Sequence, residues 1–292
     1  MILLTLNTHS LVERDYEKKL DVFVSEIFRL RPDVICLQEV NQSRTAKVAS
    51  EEKLFSFTHT GEGISVKEDN HALRVVEKLC RLGAFYYWTW LPIKIGYGKY
   101  DEGMATLSLS PIEKTKSILL SGRDDYLDWR TRKSLVVLTK NGWFYNIHMG
   151  FWGDEKEPFL PQWERLLGSM PSDEKVTLMG DFNSPAEIRG EGYDKVLESG
   201  FFDTFSLAEK KDGGTTVGGE IDGWRGSRSP MRIDYIFCRE SLTVKASETV
   251  FNGKTTPIVS DHYGVLVSLC REGQPPSLKG CGENAELCRL SK

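Results

Sequence analysis

Short apolar runs that stop abruptly at a polar residue constrain this chain more than any other feature. Residues 2–6 read Ile-Leu-Leu-Thr-Leu and end at Asn7; residues 34–37 read Val-Ile-Cys-Leu and are followed by Gln38 and Glu39. Residues 143–147 lead into His148, and residues 176–179 into Gly180 and Asp181. Runs of this length, bounded by turn-forming residues, read as buried strands. Between the first two, residues 15–30 place Leu20, Phe23, Val24 and Ile27 on one helical face, and Pro32 follows the stop. Strands alternating with helices give an α/β architecture. In open α/β sheets ligands collect outside the carboxyl ends of the strands. One polar residue at a strand end means little, because Asp and Asn are common in turns. Its recurrence points to a site.

The rest of the chain continues the pattern. Residues 41–69 are polar and mixed and read as a long loop with little regular structure. Asn70 is placed to cap a helix with Leu73, Val76, Leu79 and Cys80 inward, closed by Gly83. Strands are expected at 85–90, 105–109, 134–138 and 143–148, and a helix near 159–170 that buries Phe159, Trp163 and Leu166. Residues 213–219 are glycine-rich and turn-like, and residues 232–238 and 264–269 read as the last two strands. Residues 1–270 show no linker and no internal repeat, so they are expected to form one domain. From 271 to 292 periodicity fails, which predicts a peripheral or disordered tail.

Composition bounds the function classes. With 292 residues, 40% of them hydrophobic, the chain can bury a core without staples. The formal net charge of −4 lacks the basic field of a general nucleic-acid binder. Cys36, Cys80, Cys238 and Cys270 sit in apolar runs, where cysteine is usually a small buried hydrophobe. No CxxC pair supports a zinc or redox site, and a disulfide between Cys281 and Cys288 in the tail is not expected. The first residues have no positive segment and meet Asn7 too soon for a signal peptide. No stretch approaches the roughly 20 apolar residues that span a bilayer. A cytoplasmic protein is expected.

Several residues could carry chemistry. Asp181 and Asn183 are two apart, which projects both to one side of an extended backbone; an Asx-type turn into Pro185 accounts for them equally well. Glu39 reads either as a loop carboxylate or, with an amide oxygen nearby, as hard-oxygen coordination of the kind Mg²⁺ prefers. His148 and His262 are two of five histidines, and Asp261 stands beside His262. Asp234 is a charge inside a strand-like run, and a buried carboxylate needs a partner. An imidazole N–H would serve.

Leu6-Asn7, Gln38-Glu39-Val40, Asn146-Ile147-His148, Gly180-Asp181-Phe182-Asn183, Ile233-Asp234-Tyr235 and Ser260-Asp261-His262 together resemble the endonuclease/exonuclease/phosphatase family. The pieces occur in that family's order and span residues 1–270. The resemblance implies a deoxyribonuclease I-like fold, a four-layer α/β/β/α sandwich of two mixed sheets flanked by helices, with the site at one rim. It implies that Asn7 and Glu39 hold Mg²⁺ (Mn²⁺ as a substitute), with Asp261 as a further metal contact. It also implies that Asp181 orients or deprotonates the attacking water and that Asn183 positions the phosphate. His148 and His262 would bind phosphoryl oxygens, and Asp234 would orient His262.

Substrate is read from other segments. Residues 95–103 are polar and glycine-rich between strands; residues 128–133 hold Arg130 and Arg132, and residues 222–225 hold Trp224 and Arg225. With Tyr97, these cations and rings suit a phosphorylated sugar, clamping phosphate and stacking on the carbohydrate, although most aromatics are core and Arg–Trp pairs are common on surfaces. Glu102 is read as a partner for an imidazole such as His148, supporting its protonated form. Asn7-Thr8-His9-Ser10, residues 96–103, residues 143–152 and residues 184–190 resemble the branch of the family that dephosphorylates maltose 6'-phosphate inside cells. The expectation is therefore a Mg²⁺-dependent phosphomonoesterase for a small phosphorylated sugar, with neither nucleic acid nor membrane as partner. The alternatives are an endonuclease or other phosphodiesterase using the same site, which predicts a basic groove, and an inactive binding module, which predicts losses among these residues.

Overall fold

The computed structural model describes residues 1–270; residues 271–292, with the expected tail and its Cys281 and Cys288, lie outside the described residues. In chain order the elements are β1 (Ile2–Asn7), α1 (Tyr16–Leu30), β2 (Val34–Ser43), α2 (His71–Arg81), β3 (Tyr87–Gly96), β4 (Tyr100–Ser108), β5 (Lys114–Leu119), β6 (Lys133–Thr139) and β7 (Gly142–His148). They continue with α3 (Phe159–Gly168), β8 (Val176–Asp181), α4 (Gly192–Glu198), β9 (Phe202–Asp203), α5 (Thr204–Leu207), β10 (Lys210–Lys211), β11 (Asp234–Cys238), β12 (Val244–Val250) and β13 (Gly264–Leu269).

Alternation along the strands divides their apolar residues between two faces, and each face has its own partner. In β1, Leu4 and Leu6 join Ile35, Leu37, Trp88 and Trp90 under Leu20, Phe23 and Ile27 of α1 and Leu73, Val76 and Leu79 of α2. Leu3 turns the other way, into a core shared with Cys36, Met104, Leu135, Phe144, Met179, Ile236 and Val267. On the far side Val136, Tyr145, Leu178 and Phe237 pack under Phe159, Trp163 and Val196. Three cores separate four layers: helices, a seven-stranded mixed sheet ordered β10-β12-β13-β1-β2-β4-β3, a six-stranded mixed sheet ordered β5-β6-β7-β8-β11-β9, and helices again.

Local signals act as their chemistry requires. The Asn70 side chain accepts from the backbone N–H groups of Ala72 (3.0 Å) and Leu73 (3.2 Å), a cap worth about 1 kcal/mol. The structure also differs from the sequence reading. β12 stands between the two strands expected to be last, and β5 and α4 were not expected. The stretch 95–103 is mostly the ends of β3 and β4 rather than a connection. Cys80 is half-buried and Cys270 exposed, because the first lies at the edge of α2 and the second follows the last strand. No helix among the described residues is long and apolar enough to cross a membrane.

Candidate functional site

The site is the open end of the layer between the sheets. Along β1 the inward row is Leu3, Thr5, Asn7; along β7 it is Phe144, Asn146, His148; along β8, Met179 and Asp181; along β11, Ile236 and Asp234. Each row starts from an apolar residue in the core and reaches a polar one at the rim, by way of Thr5 in β1 and Asn146 in β7. β8 pairs with both β7 and β11, and the registers His148↔Asp181 and Asp234↔Asp181 set the three side by side.

Two charged residues have the wrong parity for this row, and a β-bulge corrects each. The β2–β4 register shifts between Leu37 and Val40, where Glu39 adopts φ +50°. The β3–β4 register shifts between Pro92 and Lys94, so that Lys94 comes to face Glu102 at 3.2 Å. A bulge inserts one residue and re-aims the side chain after it. The first bulge is held from the opposite sheet. Fully buried Asn146 donates from Nδ2 to the carbonyls of Leu37 (3.1 Å) and Ala105 (2.8 Å) and accepts from Gln38 Nε2 (2.7 Å).

Asp181 is the hub. Its Oδ1 accepts from the backbone N–H of Asn183 (2.8 Å), and its Oδ2 accepts from Asn7 Nδ2 (3.2 Å). Nε2 of His148 stands 3.6 Å from Oδ2, and Nε2 of His262 3.8 Å. Nδ1 of His262 donates to Asp234 Oδ2 (2.9 Å). Asn183 is not extended: at φ +46° it closes an Asx turn on Asp181, and the turn itself delivers both residues to the site. Asn7 also donates from Nδ2 to Glu39 Oε1 (2.9 Å), and the Ser260 hydroxyl donates to the carbonyl of Asn7 (2.7 Å), tying the His262 loop to β1.

Burial shapes the charges. It raises the Glu39 carboxyl, and neighbouring Glu102 and Asp261 raise it further. Burial raises Asp181 too, with Asp234 adding to it. The imidazoles diverge. Burial, then Arg132 and Lys94, hold His148 well below its ordinary value, so it is neutral. Burial also opposes charge on His262, but Asp234 overcomes it and raises that ring well above its ordinary value. Paired titratable groups driven apart in this way are a common signature of acid–base chemistry.

A cavity of about 590 Å³ opens over these groups, lined by Glu39, His148, Asp181, Asn183 and His262 at the floor, and by Lys94, Tyr97, Trp129, Arg132, Phe151 and Arg225 among its walls. That size suits a small-molecule ligand. A larger cavity of about 910 Å³ lies at the opposite strand ends, around Met1, Gly142, Val176 and Cys238, and no histidine lines it. The two imidazoles and the carboxylates on its floor make the smaller one the candidate site.

The expected substrate-binding residues divide. Tyr97, Arg132 and Arg225 line the cavity. Arg130 does not: it pairs with Asp154 (3.2 Å) and lies over the Trp129 ring at 4.3 Å. Trp224 does not either; its Nε1 donates to Asn183 Oδ1 (3.0 Å). Glu102 pairs with Lys94 rather than with His148. Asp261 stands at the margin, 3.9 Å from His9 Nδ1. Sequence reasoning missed Lys94, which carried the same signal as Asp234, a charge within an apolar run. Trp129, Phe151 and His9 lay in segments it singled out without being named as site residues, and the cross-sheet role of Asn146 was not expected.

The model of the Endonuclease/Exonuclease/phosphatase family matches residues 4–262. The chain belongs to that family. An endonuclease/exonuclease/phosphatase family protein from Leptotrichia buccalis is 31% identical, with a TM-score of 0.80 over 93% of this chain and all of its own. Two more distant structures share the fold. A mannosyl-6-phosphatase from Bacteroides thetaiotaomicron is 18% identical with a TM-score of 0.59, over 93% of this chain and 100% of its own. A 3' phosphatase from Neisseria, bound to a product DNA hairpin, is 17% identical with a TM-score of 0.60, over the same shares. No curated protein matches the sequence. Members of the family are phosphoric ester hydrolases that generally depend on a divalent metal.

The residues fit such a metal. Glu39, Glu102 and Asp261 press on one another strongly enough to raise the Glu39 carboxyl. Two cations answer them: Lys94 pairs with Glu102, and His9 stands 3.9 Å from Asp261 and draws the Glu39 carboxyl back down. Carboxylate oxygens gathered in this way are a hard-oxygen set suited to Mg²⁺ or Mn²⁺, while the Asn7 amide turns its Nδ2 to Glu39 and its Oδ1 to the His9 N–H.

Proposed function

We propose that this protein is a Mg²⁺-dependent phosphomonoesterase acting in the cytoplasm on a phosphorylated sugar, such as maltose 6'-phosphate or a related disaccharide phosphate. One observation carries the reading: a single cavity joins a floor of Asp181, His148 and His262 to walls bearing Trp129, Phe151 and Tyr97, with Lys94, Arg132 and Arg225 among them. Imidazoles and cations suit the phosphate, and rings suit a sugar face. The mannosyl-6-phosphatase of the same fold supports this substrate class. The DNA-bound 3' phosphatase keeps nucleic acid as the competing reading.

Glu39 and Asp261, with Asn7 beside them, would hold the metal, which when bound neutralises charge on the phosphoryl oxygens. Asp181 accepts the proton of the attacking water, and its raised affinity for a proton makes it a better base than an exposed carboxylate. The Asn183 turn and the Asn7 amide fix its two oxygens. Protonated His262, oriented by Asp234, donates from Nε2 to the phosphoryl group, and neutral His148 flanks it from the other side. Trp224 holds the oxygen of Asn183, whose NH₂ keeps one hydrogen for the phosphate after the other goes to the Met149 carbonyl (3.0 Å).

The test is phosphate release from a panel of phosphorylated mono- and disaccharides, beside nicking of plasmid DNA, each with Mg²⁺, Mn²⁺ and EDTA. Release from a disaccharide phosphate that EDTA abolishes supports the proposal. Nicked DNA with inert sugars overturns it.

A further inference from the structure

Tyr97 and Gly98 form the tip of the β3–β4 hairpin, with φ of +52° and +69°, and the Lys99 N–H closes the turn on the Gly96 carbonyl at 3.1 Å. Two left-handed residues in succession are what a tight hairpin needs, and Asn-Gly is the pair that supplies them most readily. A tyrosine at the first position is strained by its Cβ, and strain of this kind persists where the surroundings fix it.

Those surroundings are on the cavity rim. The Tyr97 hydroxyl meets His9 Nε2 at 3.1 Å and donates to Asp222 Oδ2 at 3.3 Å. The His9 and Tyr97 rings stand edge to face at 5.8 Å. His9, itself left-handed at φ +47°, donates from Nδ1 to Glu13 Oε1 at 2.7 Å, and Lys19 of α1 holds Glu13 in turn. Beyond Tyr97, Asp222 pairs with Arg225 at 3.5 Å. Separate segments are thereby laced together along one side of the mouth: the loop after β1, the hairpin tip and the 212–233 loop. Trp129, Phe151 and Arg132 contribute other walls.

We propose that this lacing is a specificity fence, with Tyr97 clamped between His9 and Asp222 as its post, confining the site to phosphates with a single ester arm. A monoester needs one way out of the cavity for its organic group. A diester carries a second arm that must leave across a rim, and the tied rim denies it that path. The inference rests on reading the cavity as a phosphomonoester site, and makes Tyr97 the residue that separates monoesterase from diesterase on this floor.

The experiment compares kcat/KM for p-nitrophenyl phosphate and bis-p-nitrophenyl phosphate with Mg²⁺, in the parent and in Tyr97→Asn, Asp222→Ala and Asp222→Asn. Tyr97→Asn installs the Asn-Gly pair that the turn prefers, so the hairpin is kept while ring and hydroxyl are lost. It and Asp222→Ala are expected to raise the diester-to-monoester ratio at least tenfold. Asp222→Asn retains an accepting oxygen and should hold the parent ratio. A parent that prefers the monoester, with a ratio unmoved in Tyr97→Asn, overturns the fence alone. A parent that prefers the diester overturns the monoester reading itself.

Discussion

Replacing Asn146 with leucine keeps the branching and heavy-atom count of the side chain and removes its hydrogen bonds. Two buried carbonyls, those of Leu37 and Ala105, lose a donor, and Gln38 Nε2 loses an acceptor. At about 1 kcal/mol for each bond the loss is roughly 3 kcal/mol. For a chain of this size that lowers Tm by about 5 °C. The second effect is local. Those bonds brace β2 and β4 where the ladder breaks to turn Glu39 inward, and a misplacement of about 1 Å in such a group costs on the order of 100-fold in rate. Thermal unfolding by circular dichroism should show the stability loss. Steady-state kinetics on a sugar phosphate, well below the variant's Tm, should show kcat/KM down about 100-fold and the half-saturating Mg²⁺ concentration raised. A variant that melts early yet keeps the parent kcat/KM and Mg²⁺ dependence would refute the argument that Asn146 holds the bulge.

Glu39→Gln and His262→Ala should each lower kcat by more than about 1000-fold, because charge neutralisation supplies most of the rate enhancement; near-normal turnover in a folded variant would count against the site. Gly180→Ala should fail to fold or lose upward of about 3 kcal/mol, measured by urea unfolding. At φ +150° its new Cβ would fall on the Ile147 carbonyl, one residue before Asp181. His71 is buried, accepts at Nδ1 from the Tyr16 hydroxyl and faces Arg74 of its own helix; burial first and Arg74 second lower its pKa to about 3. The unfolded chain therefore binds a proton that the folded chain refuses, so this stability is complete above about pH 6.5 and drains as pH falls toward 3. Between pH 7.5 and 5 the parent should lose roughly 2 kcal/mol more than His71→Gln, and parallel stability profiles would dismiss the effect.

Much of the site was legible because strand parity writes it into the sequence. Asn7, His148 and Asp181 each end an inward row, so reading strand ends found them, and Asp234 was found as a charge within a strand-like run. Glu39 was found by its place after the second strand and by its motif, and not by its parity, which is wrong until the bulge corrects it. Lys94 had the same problem and no motif to rescue it. Bulges depend on the register between paired strands, which side-chain alternation along one strand does not show. β12 was missed because its solvent-facing positions carry Lys245 and Glu248 and interrupt the apolar pattern. The substrate walls were least legible: Arg130 and Trp224 lie close in sequence to cavity residues, yet their side chains are engaged elsewhere, by Asp154 and Asn183.

The pairing of β1 with both β2 and β13 sets a timetable. During synthesis β2 is available to β1 almost at once, but β13 and His262 arrive some 230 residues later, about 12–45 s at ribosomal speeds. Until then one edge of β1, whose helix-facing side carries Leu4 and Leu6, has no β13 beside it. The same delay means that no nascent chain shorter than residue 262 holds both the early carboxylate Glu39 and the late imidazole. The proposed site is therefore complete only when the last strand of the sheet is being made.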